Sequence, residues 1–450
     1  MRRLLLPAVV AAVLLLGTSA SADVTAISVT SVRDLGTFAG KPYRQAALQL
    51  HGTAPAGPYR VPAVLAFPAR ASDGNGFALV EPYNTVGFWF RDPLVPETPL
   101  SHARTVLGDG YLLGRGNVFI AVLWDEGLME TTGDGFMSAG TDGYEILRDA
   151  SALVRRPGSM PFPPGFKRPP RARSVVAAGY SGSTNLLRDF YLNGQNSLEG
   201  TAFDGALFAG SSGQCVSPAA PAAFYHCPGV VSDGGKVLVV NTETDVEFAG
   251  FSERGRTTDY RVQELAGIAH IPPSIFDWRL RGKPDQNPVS GSPAFRGAHA
   301  NLLRWIMGQW APESRYLALQ DTPPEALGGI PFVPALRDAD GNGLGGIRLP
   351  HMPSRWKGRL AGAPLGSYTG LDLDTLNPFF FLAGTFRPFP QARLTELYPT
   401  RKAYVDRIRR AANRLLAERH ILRSDRNAYL ESATHNGSDP PRGEFMTANR

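Results

Sequence analysis

The sequence predicts an α/β fold whose sheet is mostly parallel, with helices on both of its faces. Short strand patterns alternate with helical patterns, which favours right-handed strand-helix-strand units. Most of the strand segments are continuous apolar runs, as is typical of strands that are covered on both faces. The predicted strands are Phe77–Glu81, Val118–Leu123, Ser174–Ala178, Gly205–Phe208, Val237–Val240 and Tyr260–Leu265. The predicted helices are Gly143–Val154, Ser183–Leu192 and Arg296–Trp310.

A C-terminal extension from about residue 320 is expected to belong to the same domain. Its first part, Thr322–Pro390, is rich in glycine and proline, and a helix from about Thr400 to Arg419 follows it. The apolar side chains of that helix fall on one stripe, so packing against the core is favoured over binding of its basic face to a membrane surface. We predict one domain over residues 23–433 and a disordered tail at 434–450.

The first 22 residues predict a signal peptide, because two arginines are followed by an apolar run of 13 residues and by Ala20-Ser21-Ala22. A membrane span needs about 20 apolar residues. We therefore expect cleavage before Asp23, no stable membrane span, and a secreted or periplasmic protein. Cys215 and Cys227 are the only cysteines, and in an oxidising compartment they are expected to form a disulfide.

The charge of the chain gives no indication of a nucleic-acid partner. The formal net charge is +6, and it falls to +4 when the two arginines of the signal peptide are removed. The basic stretches are not interleaved with aromatic residues, as a nucleic-acid platform would require. The charged residues are therefore interpreted as a solvated surface.

Ser181 lies in the segment Gly179-Tyr180-Ser181-Gly182-Ser183, between a predicted strand and a predicted helix. A nucleophilic serine in this context sits on a sharp strand-to-helix turn, and glycines two residues on either side relieve crowding. Gly179 fits this pattern, whereas Ser183 occupies the second glycine position. The alternative is a loop serine without a role, since short G-x-S patterns occur by chance in a chain with 49 glycines.

Serine catalysis also needs a base and an acid that orients it, here expected in the chain order serine, acid, histidine. After the strand Val237–Val240, the segment NTETDVEF offers both Asp245 and Glu243. Asp245 is preferred because it lies where the loop has turned back toward the sheet edge, the place where open α/β sheets hold their sites. His270, in the loop AGIAHIPP, is the preferred base, and a loop histidine with no role is the alternative.

The oxyanion hole is expected to use the backbone N–H of Gly182 and a second donor from the loop after Phe77–Glu81. Asn84 and Thr85 are candidates for that donor by position alone. The stretch from Asp338 to Gly343 matches the opening of a calcium loop, but Leu349 stands where a bidentate glutamate is needed. A glycine-rich turn is therefore favoured there, and no metal or cofactor is expected.

The chain resembles the large, often exported bacterial proteins with an α/β-hydrolase domain. The resemblance covers most of the mature chain and rests on GYSGSTNLLRDFYLNG, FDGALFAGSSG, VVNTETDV and AGIAH, and further on VPALRDADGNGLGGIRLPHM and PLGSYTG. It implies the α/β-hydrolase fold, with Ser181 and His270 in the nucleophile and base positions. The family pattern commonly has glutamine and then glycine after the serine, where this sequence has Gly182 and Ser183.

These observations together predict an exported serine hydrolase that cleaves a carboxylic ester of a small molecule. Amide hydrolysis or acyl transfer on the same fold is one alternative. A non-catalytic binding or envelope protein that keeps the scaffold is another. The acyl and alcohol parts of the substrate and the oligomeric state are not predicted.

Overall fold

The computed structural model describes residues 23–54, 57–83, 91–92, 95–99, 102–124, 142–219, 224–227, 229–271, 283, 285–321, 325–327, 330–375 and 378–435. The expected signal peptide at 1–22 and the predicted oxyanion donors Asn84 and Thr85 lie outside the described residues, as does 436–450 of the expected tail.

A nine-stranded sheet forms the centre of the described fold, in the order β1-β2-β3-β7-β4-β8-β9-β12-β13. Its strands are β1 (Asp23–Phe38), β2 (Lys41–Ala54), β3 (Gly57–Pro68), β4 (Phe77–Pro82), β7 (Val118–Val122), β8 (Ser174–Tyr180), β9 (Gly205–Ala209), β12 (Lys236–Thr242) and β13 (Tyr260–Leu265). Short two-stranded sheets use β5 (Arg91–Asp92), β6 (Val95–Pro99), β10 (Gln214–Val216), β11 (Phe224–His226), β14 (Glu325–Leu327), β15 (Ile330–Phe332), β16 (Ser354–Trp356), β17 (Arg359–Ala361), β18 (Gly366–Thr369) and β19 (Thr385–Pro388).

The six strands predicted from the sequence form the parallel part of this sheet. From β7 through β4, β8, β9 and β12 to β13, each neighbouring pair is parallel. Almost every residue of these strands is buried, as expected where both faces are covered. The carboxyl ends of the parallel strands therefore meet along one edge, where β8 and β12 end close to the candidate site.

The sequence analysis did not predict the three N-terminal strands, which add an antiparallel part to the sheet. β1, β2 and β3 pair antiparallel, and β3 pairs antiparallel with β7. Ala39 and Gly40, both with positive φ, form the tight turn between β1 and β2. Residues of β2 alternate between buried and partly exposed positions, which is typical of a strand with one covered face.

The described helices are α1 (His102–Leu107), α2 (Asp109–Leu112), α3 (Asp142–Arg155), α4 (Gly182–Leu192), α5 (Glu243–Glu247), α6 (Ser292–Ile306), α7 (Pro378–Phe381), α8 (Gln391–Leu397), α9 (Arg401–Ala417) and α10 (Arg423–His435). Among these, α3 packs on β4 and β7, α4 on β8 and β9, and α6 on β9 and β12. Helix α6 begins four residues earlier than predicted, with Pro293 in its first turn, because proline suits a helix start. Within the described residues no helix is both long and apolar enough to cross a membrane.

The C-terminal helices pack back onto the core, as the apolar stripe predicted. Helix α9 buries Tyr404, Ile408 and Leu415. Arg296 of α6 forms an ion pair with Asp425 of α10 at 2.7 Å. The boundary that was predicted at 433 falls within the last turn of α10, which ends at His435.

Candidate active site

Ser181 occupies a strained backbone position between β8 and α4. Its φ and ψ are 61° and −130°, a conformation that costs a non-glycine residue about 1–3 kcal/mol and is found mostly at functional sites. The Ser181 N–H donates to the carbonyl of Ala209 at 3.0 Å, which fixes the turn to the neighbouring strand. The strand therefore runs directly into a tight turn that presents the serine hydroxyl at the sheet edge.

Close contact between strand and helix requires glycine at 179. A Cβ there would lie 2.7 Å from the nitrogen of Thr184 and 2.9 Å from the carbonyl carbon of Ser183. Ser183 fits at the second glycine position because its hydroxyl oxygen accepts from the Tyr180 N–H at 2.8 Å and lies 3.0 Å from the Tyr180 carbonyl. The buried Ser183 hydroxyl thus satisfies the backbone of the turn, and the departure from glycine is compatible with its geometry.

Ser181, His270 and Asp245 form a continuous hydrogen-bonded chain. His270 Nε2 lies 2.9 Å from Ser181 Oγ, and His270 Nδ1 lies 2.6 Å from Asp245 Oδ1. A carboxylate can only accept, so Nδ1 carries the proton and Nε2 is left to accept from the serine hydroxyl. The three side chains that the sequence analysis grouped are therefore brought together with the connectivity that a nucleophile, a base and an orienting acid require.

Asp245 is fully buried and is held by four donors. Thr242 binds Oδ2 through its N–H at 2.9 Å and its hydroxyl at 2.6 Å, and the Ser212 hydroxyl donates to Oδ1 at 3.0 Å. Burial alone raises the pKa of Asp245, but the charge of His270 and the hydrogen bonds from His270 and Thr242 outweigh it and hold the pKa below its usual value. Asp245 is therefore ionised at neutral pH.

Glu243, the other candidate acid, points away from His270. Its carboxylate accepts from the N–H of Gly267 at 2.7 Å, the N–H of Gly370 at 2.9 Å and the Arg337 guanidinium at 2.8 Å. These contacts place Glu243 on the face of α5 that meets the C-terminal extension. The geometry favours Asp245 as the partner of the histidine.

The other histidines that follow Asp245 in the chain do not reach Ser181. His299, His351 and His420 are buried elsewhere, and burial lowers the pKa of each to about 3. His435 lies at the end of α10. His270 keeps its ring in place through its backbone, since its N–H donates to Thr244 Oγ1 at 2.9 Å and its carbonyl accepts from the Tyr180 hydroxyl at 2.5 Å.

Gly182 is the first residue of α4, where backbone N–H groups lack acceptors within the helix. Its N–H is thus available in the position expected for an oxyanion donor. Asn84 and Thr85, the candidates for the second donor, lie outside the described residues.

A cavity of about 360 Å³ opens onto Ser181 and His270. Its apolar lining comes from Phe248, Phe381 and Leu382, and its polar lining includes Asn185 and Gln214. Phe381 is the last of three consecutive phenylalanines in the sequence, and its ring packs against Phe248 at 5.3 Å between centroids. The cavity is large enough for a small molecule.

Sequence reasoning missed the residues that support the histidine and the acid. Thr242 caps α5 and its hydroxyl binds the Asp245 side chain; the spacing of a capping residue and an acid three positions later was readable in NTETD. Ser212 and Tyr180 act on Asp245 and His270 across distances of 33 and 90 residues. No local pattern indicates such contacts.

The loop at 338–343 forms a turn closed by its own side chains. Asp338 Oδ1 accepts from the N–H groups of Asp340 and Asn342 at 3.0 and 2.9 Å. Asp340 forms an ion pair with Arg393 at 3.2 Å. These contacts are those of the glycine-rich turn favoured by the sequence. Within the described residues no group of three or more His, Cys, Asp or Glu side chains is placed to hold a metal ion.

Cys215 and Cys227 form the predicted disulfide. It joins β10 to the residue after β11, beside the cavity-lining Gln214. Arg188 of α4 donates to the carbonyl of Cys227 at 2.7 Å, so the disulfide-linked hairpin is connected to the helix that follows Ser181.

The strand order and the turn between β8 and α4 define an α/β-hydrolase fold. A sequence model of the alpha/beta hydrolase domain matches residues 135–431, and the chain belongs to this family. No curated protein has a significant match to the chain.

The solved structures similar to this chain are remote. They include a glucuronoyl esterase from Solibacter usitatus, with 14% identity and a TM-score of 0.30 over 48% of this chain and 67% of that chain. A brefeldin A esterase, described as a bacterial homologue of human hormone sensitive lipase, has 16% identity and a TM-score of 0.25 over 39% of this chain and 41% of its own. Lipase A from Candida antarctica has 17% identity and a TM-score of 0.26 over 42% of each chain.

This chain thus spans less than half the length of the brefeldin A esterase and lipase structures. Likenesses at this level assign neither an activity nor a substrate to it.

Proposed function

We propose that the protein is an exported serine hydrolase that cleaves a carboxylic ester through a covalent acyl-enzyme. The observation that carries the proposal is the hydrogen-bonded chain from Ser181 through His270 to the buried, ionised Asp245, with the serine on a strained turn. Membership of the alpha/beta hydrolase domain family supports it further.

In the acylation step, Ser181 Oγ attacks the ester carbonyl carbon while His270 Nε2 takes the hydroxyl proton. Asp245 stabilises the resulting imidazolium and keeps the proton of Nδ1 directed toward itself. The Gly182 N–H stabilises the negative charge that develops on the carbonyl oxygen. The intermediate collapses when the bond to the alcohol oxygen breaks, and His270 returns its proton to the departing alcohol.

In the deacylation step, a water molecule loses a proton to His270 Nε2 and attacks the acyl carbon. The bond to Ser181 Oγ breaks, the serine regains the proton from His270, and the carboxylic acid leaves. Phe248, Phe381 and Leu382 provide the apolar surface on which one part of the substrate would pack.

A fluorophosphonate probe tests the nucleophile directly, because it reacts only with an activated serine. We expect the wild-type protein to be labelled and the Ser181→Ala variant not to be. Ser183→Gly is the matched control, since it changes the neighbouring serine to the residue usual at that position and should keep the label. A wild-type protein that resists the probe would support a non-catalytic scaffold.

The ester specificity is tested by comparing matched substrates. An ester and an amide with the same acyl group, together with an added alcohol as acyl acceptor, separate ester hydrolysis from amide hydrolysis and acyl transfer. We expect kcat/KM to be highest for the ester, with the free acid as the main product. Faster cleavage of the amide, or transfer to the alcohol as the main reaction, would reassign the activity.

Export is supported by the pattern of residues 1–22 and by the Cys215–Cys227 disulfide, since disulfides persist in oxidising compartments. The full chain, produced in a bacterial host with a working secretion system, should be found outside the cytoplasm. Its N-terminal sequence should start at Asp23. An intact Met1 on a cytoplasmic product would contradict the proposal.

A further inference from the structure

Helix α5 carries three carboxylates, and they face two directions. Asp245 faces His270, whereas Glu243 and Glu247 lie one turn apart on the same side of the helix. That side meets Arg337 of the C-terminal extension. The guanidinium group lies 2.8 Å from Glu243 Oε1 and 3.2 Å from Glu247 Oε1.

Both glutamates are almost completely buried, with side-chain exposures of 0% and 3%. Two buried carboxylates on one face repel each other and need a shared counter-charge. Burial and the charge of Glu243 raise the pKa of Glu247, while Arg337 acts to lower it. Arg337 is therefore the group that balances the negative charge buried on this side of α5.

The extension also holds α5 through its backbone. The N–H of Gly370 donates to Glu243, and the carbonyl of Gly370 accepts from Thr244 Oγ1 at 2.7 Å. That same Thr244 hydroxyl oxygen accepts from the His270 N–H at 2.9 Å. A Cβ on Gly370 would lie 2.5 Å from the Thr244 nitrogen, and one on Gly343 would lie 2.4 Å from Glu243 Oε2.

These contacts explain two downstream segments that the proposed mechanism does not use. VPALRDADGNGLGGIRLPHM contains Arg337 and Gly343, and PLGSYTG ends at Gly370. Both segments meet at Glu243, on the side of α5 opposite to His270. The extension therefore forms the support of the helix that carries the orienting acid.

We propose that Arg337 is a positioning residue for catalysis, which holds α5 so that Asp245 meets His270 Nδ1. The proposal rests on the proposed function. Without Arg337, the negative charge buried on this side of α5 loses its counter-charge, α5 shifts, and the hydrogen bond between Asp245 and His270 weakens. KM changes little, because Arg337 is not among the described residues that line the cavity.

The test compares Arg337→Gln with Arg254→Gln, a closely matched control. Arg254 has the same side-chain exposure of 28% and pairs with an equally buried glutamate, Glu264, at 2.7 Å. Glu264 lies on β13 and Arg254 follows Glu253, and the side-chain hydrogen bonds of the two residues run to each other and to the backbone of Leu317. Both substitutions should lower the free energy of unfolding, so stability alone does not separate them.

Only Arg337→Gln should change the chemistry. We expect kcat, measured per active site titrated with the fluorophosphonate probe, to fall about 10- to 100-fold. The acid limb of kcat/KM should move about 1 pH unit lower, because a displaced Asp245 no longer stabilises the protonated His270. An unchanged limb would show a purely structural role. An acid limb at higher pH would show that His270 responds only to the loss of the positive charge of Arg337. Both the unchanged limb and the limb at higher pH would overturn the proposal.

If the single variant does not fold, Arg337→Gln is combined with Glu247→Gln, which removes one of the two carboxyl groups that Arg337 contacts. The double variant should still show the lower kcat and the shifted acid limb, and wild-type values for both would overturn the proposal.

The NMR signal of the His270 Nδ1–H proton, which is expected far downfield when it is bonded to Asp245, can be measured without any hydrolysis. It should weaken or move upfield in Arg337→Gln and stay in place in Arg254→Gln. If the wild-type protein resists the probe, the proposed function fails, while this resonance still decides whether Arg337 positions Asp245.

Discussion

The two sides of the candidate site are assembled in different ways. On the nucleophile side, Ser181 is held mainly by its neighbours in the chain, because Gly179 lets α4 approach β8 and Ser183 satisfies the turn. One backbone hydrogen bond, to Ala209 of the adjacent strand β9, adds to these local contacts. On the acid side, α5 is held by residues far along the chain: Arg337 lies 94 positions from Glu243, and Gly370 lies 126 positions from Thr244. The nucleophile side is a local structure, whereas the acid side exists only in the complete fold.

Removing the nucleophile should give the largest effect on activity. We expect Ser181→Ala to lower kcat about 10⁶-fold, the scale seen when a catalytic serine is removed. Alanine keeps the same backbone and loses only the hydroxyl, so the fold should be unchanged. The measurement is ester hydrolysis, with circular dichroism to verify folding. Turnover at the wild-type rate would remove Ser181 from the mechanism.

On the acid side, Asp245→Asn should lower kcat on the order of 10³- to 10⁴-fold. The amide cannot stabilise the imidazolium and can orient the ring in the wrong tautomer. Glu243→Gln is the paired variant on the same helix, and it should lose much less turnover while lowering the free energy of unfolding. Steady-state kinetics with both variants decide the assignment. A larger loss in Glu243→Gln would move the acid to Glu243.

The same contrast explains which features could be predicted from the sequence. The six parallel strands and the turn at Ser181 depend on apolar runs and on glycine within a short window, and these are readable locally. The order serine, acid, histidine after the ends of β8, β12 and β13 was enough to group Ser181, Asp245 and His270, and His270 lies within hydrogen-bond distance of the other two.

Features that depend on distant partners were not predicted. Arg337 has no local signal, because its role depends on two glutamates about 90 residues earlier. The strands β1, β2 and β3 were missed for a different reason. The alternating pattern of β2 and the Ala39-Gly40 turn were readable, but a half-exposed, alternating strand gives a weaker signal than the continuous apolar runs of the parallel strands. β3 is mostly buried, and the prolines within it weaken its strand pattern.

Acid should destabilise the core and the extension together. His299 lies on α6, and His351 and His420 lie in the extension; burial lowers the pKa of each to about 3. In the unfolded chain these histidines bind protons near pH 6.5. Their contribution to the free energy of unfolding is therefore complete above that pH, and it is lost as the pH falls toward 3. The three histidines together contribute a slope of up to about 4 kcal/mol per pH unit. Urea unfolding between pH 7.5 and 4.5 measures it.

Two substitutions make the pH dependence specific. His351→Leu should reduce the slope by about one third, since each histidine contributes one proton. His435→Gln, at an exposed histidine on α10, should leave the slope unchanged. A single unfolding transition at every pH would agree with an extension that unfolds together with the acid side of the site. A separate, earlier transition of the extension, with ester hydrolysis retained, would contradict the contrast drawn between the two sides.

The disulfide should have the smallest effect on chemistry, because it supports the nucleophile side from outside the triad. The bridge spans 12 positions, and a loop of this size is expected to contribute about 3 kcal/mol to stability by the chain-entropy model. We expect the double variant Cys215→Ser and Cys227→Ser to lower the free energy of unfolding by about that amount while kcat stays at the wild-type value. Chemical denaturation and steady-state kinetics measure the two quantities.

Arg188 connects the disulfide-linked hairpin to α4, the helix that follows Ser181. Removing the disulfide therefore also tests whether the turn at Ser181 is held by local contacts alone. Arg188 of α4 donates to the Cys227 carbonyl and forms a buried ion pair with Glu253 at 3.1 Å. If the turn at Ser181 is self-sufficient, the fluorophosphonate labelling rate should be the same with and without the bridge. Slower labelling of the fully folded double cysteine variant would mean that the β10–β11 hairpin also holds Ser181 in place. Mass spectrometry of unreduced, alkylated protein supplies the control, because two alkylated thiols in exported wild-type material would show that the bridge does not form.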